Sequence, residues 1–199
     1  MTANASPAAR PRSTAMTTAK TFDGPSGKAR TARLTLNGVL WSLQALWGFF
    51  FAGSGFGKVL LYDDALYAAA PRAVAWYAAV PQPLIVLIGV VEVLGGLGLI
   101  LPAMTGVKPR LTPLAAAGLA LTMILATGFH LVRGEYGLIP ANLVLGGVAA
   151  FVTVGRWTLR PTPAATLTTP RLLKSLAVLA VIALLTFAPT WYTMTHARF

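Results

Sequence analysis

Five apolar segments dominate this chain, and each is near the length that a helix needs to cross a lipid bilayer. They occupy about residues 36–61, 83–101, 112–132, 138–154 and 172–193. Crossing the hydrocarbon core takes roughly 17–25 predominantly apolar residues in a helix. The alternating segments of about ten residues that are typical of membrane β-strands are absent from the sequence. The sequence therefore predicts an all-α integral membrane protein.

Charged residues are scarce, and their placement also favours a membrane protein. Only 11% of the residues are charged and 56% are hydrophobic, whereas soluble domains carry roughly 25% charged residues. Most of the basic residues behind the net charge of +11 lie outside the apolar segments, where Lys and Arg orient membrane helices. Because no basic helix with interleaved aromatic residues is present, we expect a lipid bilayer as partner and no nucleic acid.

The chain has no cysteine and only two histidines, which are far apart in the sequence. The lack of cysteine excludes disulfides, thiolate redox chemistry and cysteine-ligated metal. Two distant histidines also make a metal site improbable. With no Ser-His-Asp set and no pair of acids within a segment, the sequence predicts no catalytic residues and no resident cofactor.

The segments divide the chain into four parts. Residues 1–33 are rich in Ala, Ser, Thr, Pro and basic residues, which predicts a disordered tail. Residues 34–157 form the predicted four-helix membrane core, and residues 158–171 a proline-rich linker. Residues 172–199 are predicted to form a fifth transmembrane helix with a short tail.

The basic residues predict an orientation in the membrane. If five helices alternate, one side receives the tail, the loop with Lys108 and Arg110, and the segment with Arg156 and Arg160. The other side receives Asp63, Asp64 and Glu135 with few bases, and cytoplasmic loops carry the excess of Lys and Arg. We therefore expect a multipass protein of the bacterial plasma membrane with its N-terminus in the cytoplasm and its C-terminus outside.

The segment between the first two apolar runs, "YDDALYAAAPRAVAWYAAVPQP", is too apolar for a plain linker and too interrupted for a span. Tyr67, Trp76 and Tyr77 suit the membrane boundary, where amphipathic rings settle. This pattern predicts a short interfacial helix or a re-entrant segment at the outer face.

Five polar or ionisable residues lie inside the predicted spans: Gln44, Lys58, Glu92, His130 and Asn142. Residues three, four, seven and eleven positions apart share one face of a helix. By that rule each of the five shares its face with small residues, which mark close helix contacts in membranes. Glu92, for example, lies between Gly89 and Gly96. The five side chains are therefore predicted to face the bundle interior.

Helical rise predicts where these side chains meet. Glu92 lies about midway along the second segment, while Lys58, His130 and Asn142 lie toward the outer ends of theirs. We expect a polar pocket at the outer face, with Glu92 and Lys58 as its ion pair and Gln44 deeper. A structural alternative is that the pair only fixes helix register, while Lys58 snorkels to the interface.

The run "GSGFGK" at residues 53–58 imitates a phosphate-binding loop but lacks its spacing and context. Gly53 and Gly57 instead fit the G-x-x-x-G pattern of a helix-packing face.

Four blocks together resemble the DoxX-like family of small bacterial membrane proteins. They are "LQALWGFFFAGSGFGKVL", "VPQPLIVLIGVVEVLGGLGLILP", "LTPLAAAGLALTMILATGFHLVRGE" and "NLVLGGVAAFVTVGR". The resemblance covers about residues 40–156 and implies a four-helix membrane bundle, with Lys58, Glu92, His130 and Arg133 with Glu135 on motif positions. The tail and the fifth helix lie beyond it.

The resemblance leaves three functions open. The first is a non-catalytic anchor or accessory subunit of a membrane complex, whose pocket binds a lipid or quinone headgroup or a partner protein. The second is a membrane subunit of a quinone-linked oxidoreductase, because some relatives look like such subunits and others are linked to oxidative-stress complexes. A small-molecule transporter is the third, although no inverted repeat supports it. A homo-oligomer is also compatible with the sequence.

Overall fold

The computed structural model describes residues 27–60 and 75–196, with side chains for residues 31–60 and 75–185. Its elements in these ranges are helical. The five α-helices are α1 (Gly27–Leu60), α2 (Gln82–Thr105), α3 (Leu111–Val132), α4 (Ile139–Val154) and α5 (Thr169–His196). Two 3₁₀ turns lie at Ala75–Ala79 and Tyr136–Leu138, and a π-helical turn at Gly155–Leu159 extends α4.

Four helical stretches are long and apolar enough to cross a membrane: Thr31–Leu60, Gln82–Thr105, Leu111–Val132 and Tyr136–Leu159. The predicted four-helix membrane core is thereby supported. The flanking turns extend the fourth segment to 24 residues, which is long enough to cross the hydrocarbon core. The fifth segment is helical, but it is not among these four spans, so its crossing of the membrane stays a prediction.

Neighbouring helices of the core run antiparallel. Along α1, Gln44 bonds the carbonyl of Leu99, Gly48 approaches Gly96, and Lys58 bonds Glu92, so rising numbers on α1 meet falling numbers on α2. α1 packs most extensively on α2, and α3 on α4. We call the end of the bundle with Lys58 and His130 the Lys58 end, and the end with Asn37 and Arg156 the Arg156 end.

Glycines allow the close approach of α1 and α2. A Cβ at Gly48 would lie 2.8 Å from the carbonyl oxygen of Gly96, and one at Gly96 would lie 2.6 Å from the backbone nitrogen of Ala52. Gly55 and Gly89 meet in the same way. The predicted packing role of Gly57 is wrong, because nothing lies within 4 Å of the position its Cβ would take.

The interior and the surface divide as a lipid environment requires. The face of α2 that was predicted to point inward, with Gly89, Glu92 and Gly96, is buried, and Ile85 and Leu99 extend it. Large apolar residues such as Leu94, Leu125 and Leu143 are more than half exposed, which suits contact with lipid tails. α5 packs against α1 and α2 and contributes Ile182 to the core.

The segments on either side of the core differ from the prediction. α1 begins at Gly27, so the helix extends into the stretch expected to be a tail. The proline-rich linker lies against the Arg156 end, where the N–H of Ala165 donates to the carbonyl of Gly106 over 3.0 Å. Tyr67, Asp63 and Asp64 lie outside the described residues.

Candidate functional site

The predicted ion pair between Lys58 and Glu92 is present. Lys58 Nζ lies 2.6 Å from Glu92 Oε2, and both side chains are only 6% exposed. Nζ also donates to Ser54 Oγ over 2.7 Å, one helical turn back along α1. Gly89 and Gly96 flank Glu92 on its own face, so the carboxylate reaches α1 across the closest helix contact. Two opposite charges are therefore held together away from solvent.

Tyr77 lies beside this ion pair. The 3₁₀ turn Ala75–Ala79 brings its ring to 5.9 Å from Lys58 Nζ, and the side chain is buried. Burial and, secondarily, the negative charge of Glu92 raise the pKa of Tyr77 to about 12. Tyr77 therefore keeps its phenolic proton at neutral pH.

His130 belongs to a second polar group at the Lys58 end. Its Nδ1 lies 2.6 Å from Glu135 Oε2, and Arg133 Nε donates to Glu135 Oε1 over 2.8 Å. The hydrogen bond from His130, together with Arg133, lowers the pKa of Glu135. The carboxylate is thus ionised at neutral pH, and His130 Nδ1 carries the proton of their hydrogen bond.

A turn at Gly134 creates this second group. Gly134 has a φ of 73°, the left-handed conformation that commonly ends a helix. The N–H of Glu135 then donates to the carbonyl of His130 over 2.9 Å. The chain thus reverses after α3, and the Glu135 side chain returns to its last turn. The sequence signal was present in "HLVRGE", because glycine after a helix predicts such a return.

Aromatic rings join the two groups. The Trp76 ring lies 4.3 Å from that of Tyr77, 5.8 Å from that of His130 and 5.9 Å from that of Phe129 between centroids. All these contacts are edge-on, the geometry that aromatic pairs prefer. Lys58, Glu92 and His130 therefore share one end of the bundle, but His130 pairs with Glu135 and reaches the ion pair only through Trp76 and Tyr77.

The two remaining predicted site residues behave differently. Asn142 lies half-buried in the first turn of α4, and its Nδ2 has no hydrogen-bond partner in the described structure. Gln44 is fully buried toward the Arg156 end, where its Nε2 donates to the carbonyl of Leu99 over 2.7 Å. The structure thus places Gln44 apart from the group of Lys58, Glu92 and His130.

Arg156 was treated only as a flanking cation, and the structure assigns it to the interior. It is 4% exposed, its Nε donates to Gln44 Oε1, and its Nη1 donates to Asn37 Oδ1 over 2.8 Å. The helical register already contained this signal. Arg156 follows Thr153 by three positions and Ala149 by seven, and so continues the inward face of α4.

No group of three or more His, Cys, Asp or Glu side chains suited to a metal lies within the described residues. At the Lys58 end, the carboxylate of Glu92, the phenol of Tyr77 and the imidazole of His130 belong to one cluster of polar and aromatic side chains.

This architecture defines a multipass helical membrane protein with buried polar groups at both ends of its core. The model of the DoxX-like family matches residues 42–152, more than half of the chain, and the chain therefore belongs to the DoxX-like family. The matched range contains Lys58, Glu92, His130 and Glu135, and excludes Asn37, Arg156 and α5. Among curated proteins and among solved structures, no match to the chain was found.

Proposed function

We propose that this DoxX-like protein is a non-catalytic anchor or accessory subunit of a membrane complex. Its Lys58 end would bind the headgroup of a lipid or a quinone, or a partner protein, through Lys58, Glu92 and His130. The observation that carries the proposal is the buried Lys58–Glu92 pair with Tyr77 beside it and His130 nearby. Ionisable residues inside membrane segments are costly and mostly serve function.

Charge supports an orientation for this proposal. Among the described residues, Arg33, Lys108, Arg110, Arg156 and Arg160 belong to the Arg156 end, as the sequence predicted. With positive residues inside, the Arg156 end faces the cytoplasm of a bacterial cell and the Lys58 end faces outward. A reporter domain fused after Phe199 should be active only on the outer side; cytoplasmic activity would contradict a crossing by α5 or the orientation.

Replacement of the whole ion pair separates a binding role from a role in helix register. A buried ion pair that serves only packing is often replaced by apolar residues without loss of stability. We therefore propose Lys58→Met with Glu92→Leu as a double variant of the full chain in lipid nanodiscs. The test is whether native mass spectrometry still detects lipid, a short-chain quinone or a co-purified protein on the folded protein.

The proposal expects that the double variant folds and loses at least one species that the unaltered protein retains. Val91→Ala, a change on the exposed face of α2, is the matched control and should retain it. If the folded double variant keeps the same bound species, the ion pair has only a structural role. A lone protein without bound species from gently solubilised membranes would also contradict the proposal.

The His130–Glu135 pair favours one second candidate, a membrane subunit of a quinone-linked oxidoreductase. Groups that hold protons, from Glu92 through Tyr77 to His130 and Glu135, lie at one membrane boundary. Positioned acids and bases of this kind transfer protons in catalysis. Because the chain has no cysteine, a quinone or a partner protein would supply the redox centre. Unchanged quinone reduction in membranes carrying Glu92→Gln and His130→Ala would exclude this role.

A further inference from the structure

Arg156 is a buried cation held by neutral groups. Its Nε donates to Gln44 Oε1, its Nη1 donates to Asn37 Oδ1 over 2.8 Å, and the Trp41 ring lies 5.2 Å from the guanidinium carbon. Gln44 is itself fixed, because its Nε2 donates to the carbonyl of Leu99. These contacts orient the guanidinium without neutralising its charge.

The carboxylates of the described residues are already used elsewhere. Glu92 pairs with Lys58, and Glu135 pairs with His130 and Arg133, all at the Lys58 end. At the Arg156 end the described residues therefore supply cations without an acidic partner. Burial of a charge is costly unless it is paired, and no described carboxylate pairs with the Arg156 guanidinium.

A cavity of about 310 Å³ adjoins Arg156. Arg156 lines it together with residues from the α2–α3 turn, the start of α3, the π-helical turn and the linker: Pro109, Arg110, Pro113, Trp157, Pro161 and Thr162. Ligand pockets range over roughly 300–1,000 Å³, so this volume suits a small group. Arg110 adds a second positive charge to the cavity.

Two of the residues that line the cavity carry buried donors without a hydrogen-bond partner in the described structure. These donors are Arg156 Nη2 and Thr162 Oγ1. Buried polar groups are nearly always paired, and each exception calls for an explanation. A cavity bordered by cations, with unpaired N–H and O–H groups beside it, is complementary to an anion with several acceptor oxygens.

We propose that this cavity binds a phosphate group, with Arg156 as its principal ligand and Arg110 and Thr162 as further donors. The Nη2 of Arg156 keeps its N–H groups for this ligand, and hydrogen bonds from a guanidinium to phosphate oxygens are charge-assisted and strong. Inorganic phosphate and the phosphodiester of an anionic phospholipid share this chemistry. Trp157 is 53% exposed at the end of a membrane span, where indole rings meet headgroups, so a phospholipid is the expected source.

The test uses the full chain in nanodiscs that contain phosphatidylcholine with or without phosphatidylglycerol. Arg110→Gln and Lys108→Gln form a matched pair, because both remove one charge from the same turn but only Arg110 lines the cavity. Native mass spectrometry counts the phosphatidylglycerol molecules retained. A parallel arm measures whether inorganic phosphate raises the melting temperature of lipid-depleted protein.

The proposal predicts selective retention of phosphatidylglycerol by the unaltered protein. Loss of one charge-assisted hydrogen bond should reduce retention about tenfold in Arg110→Gln, with no change in Lys108→Gln. Arg156→Lys should lower it as well, and if that variant does not fold, the matched pair still decides. Stabilisation by inorganic phosphate without lipid selectivity would support the site and identify free phosphate as its source.

Equal effects of Arg110→Gln and Lys108→Gln, or retention that does not depend on lipid charge together with no response to phosphate, would overturn the proposal. The result is independent of the proposed function at the Lys58 end. The variants Lys58→Met and Glu92→Leu should leave phosphatidylglycerol retention intact.

Discussion

The two ends of the bundle bury charge in different ways. At the Lys58 end each described cation has a carboxylate partner, as in Lys58–Glu92 and Arg133–Glu135. At the Arg156 end the buried guanidinium donates to the side-chain amides of Gln44 and Asn37 and to the backbone carbonyl of Arg160, which are all uncharged acceptors. Among the described residues, the cations at the Lys58 end are thus paired with carboxylates, whereas the buried guanidinium at the Arg156 end is not.

The largest effect on stability should come from the removal of one partner of the Lys58–Glu92 pair. Glu92→Gln leaves the buried Lys58 ammonium without its counter-charge, and loss of one partner of a buried pair costs about 3–5 kcal/mol. The free energy of unfolding, measured in detergent by denaturant titration, should fall by about this amount. Combining Lys58→Met with Glu92→Leu should restore most of it, and a double variant as unstable as Glu92→Gln would contradict the account.

The next effect on stability concerns the close contact between α1 and α2, which runs between the two ends. Gly96→Ala places a methyl group 2.6 Å from the backbone nitrogen of Ala52, and overpacking of this kind costs typically about 1–3 kcal/mol. Gly57→Ala meets nothing within 4 Å and should be neutral or stabilising, since alanine favours helices. Equal melting temperatures of the two variants would show that α1 and α2 do not approach at this seam.

The effect expected at the Arg156 end is comparable in size and depends on the lipid present. Arg156→Met removes a buried charge that has no described carboxylate partner, so it should cost less stability than Glu92→Gln. The cost is about 1–3 kcal/mol from the acceptors of Gln44 and Asn37 that lose their donor. Thermal unfolding in nanodiscs should show that phosphatidylglycerol raises the melting temperature of the unaltered protein but not of Arg156→Met. An equal rise in both would remove the contrast between the ends.

The smallest effect is a pH dependence at the Lys58 end. The pKa of Glu135 is lowered, chiefly by the hydrogen bond from His130. A carboxyl group with a depressed folded-state pKa contributes stability above its unfolded pKa and loses it as the pH falls through the folded value. The melting temperature should therefore decline in acid, and Glu135→Gln should show a shallower decline. Parallel acid curves for both proteins would contradict this assignment.

Helical periodicity predicted the interior well. The faces of α1 and α2 that carry Gln44, Lys58 and Glu92 were predicted as inward, and all three residues are buried. The pattern works because small residues and polar residues both avoid lipid and therefore share one face. The four spans follow from length and apolarity alone.

Pairings that depend on turns were harder to predict. His130 was expected beside Glu92, but the turn at Gly134 provides Glu135 as a nearer partner. Arg156 was interpreted from its charge at a helix end, although its spacing from Ala149 and Thr153 already predicts the inward face of α4, which the π-helical turn continues. Gly57 was wrongly predicted to pack against another helix, because a G-x-x-x-G pattern does not by itself indicate which face of the helix the neighbour contacts.

Native mass spectrometry of the full chain from one mixed nanodisc preparation, with phosphatidylglycerol and a short-chain quinone present, tests the contrast between the ends most directly. The account predicts that the Lys58→Met, Glu92→Leu double variant loses the species bound at the Lys58 end and retains phosphatidylglycerol, while Arg110→Gln shows the opposite pattern. If both variants lose the same species, or neither loses any, the ends do not act as two separate sites.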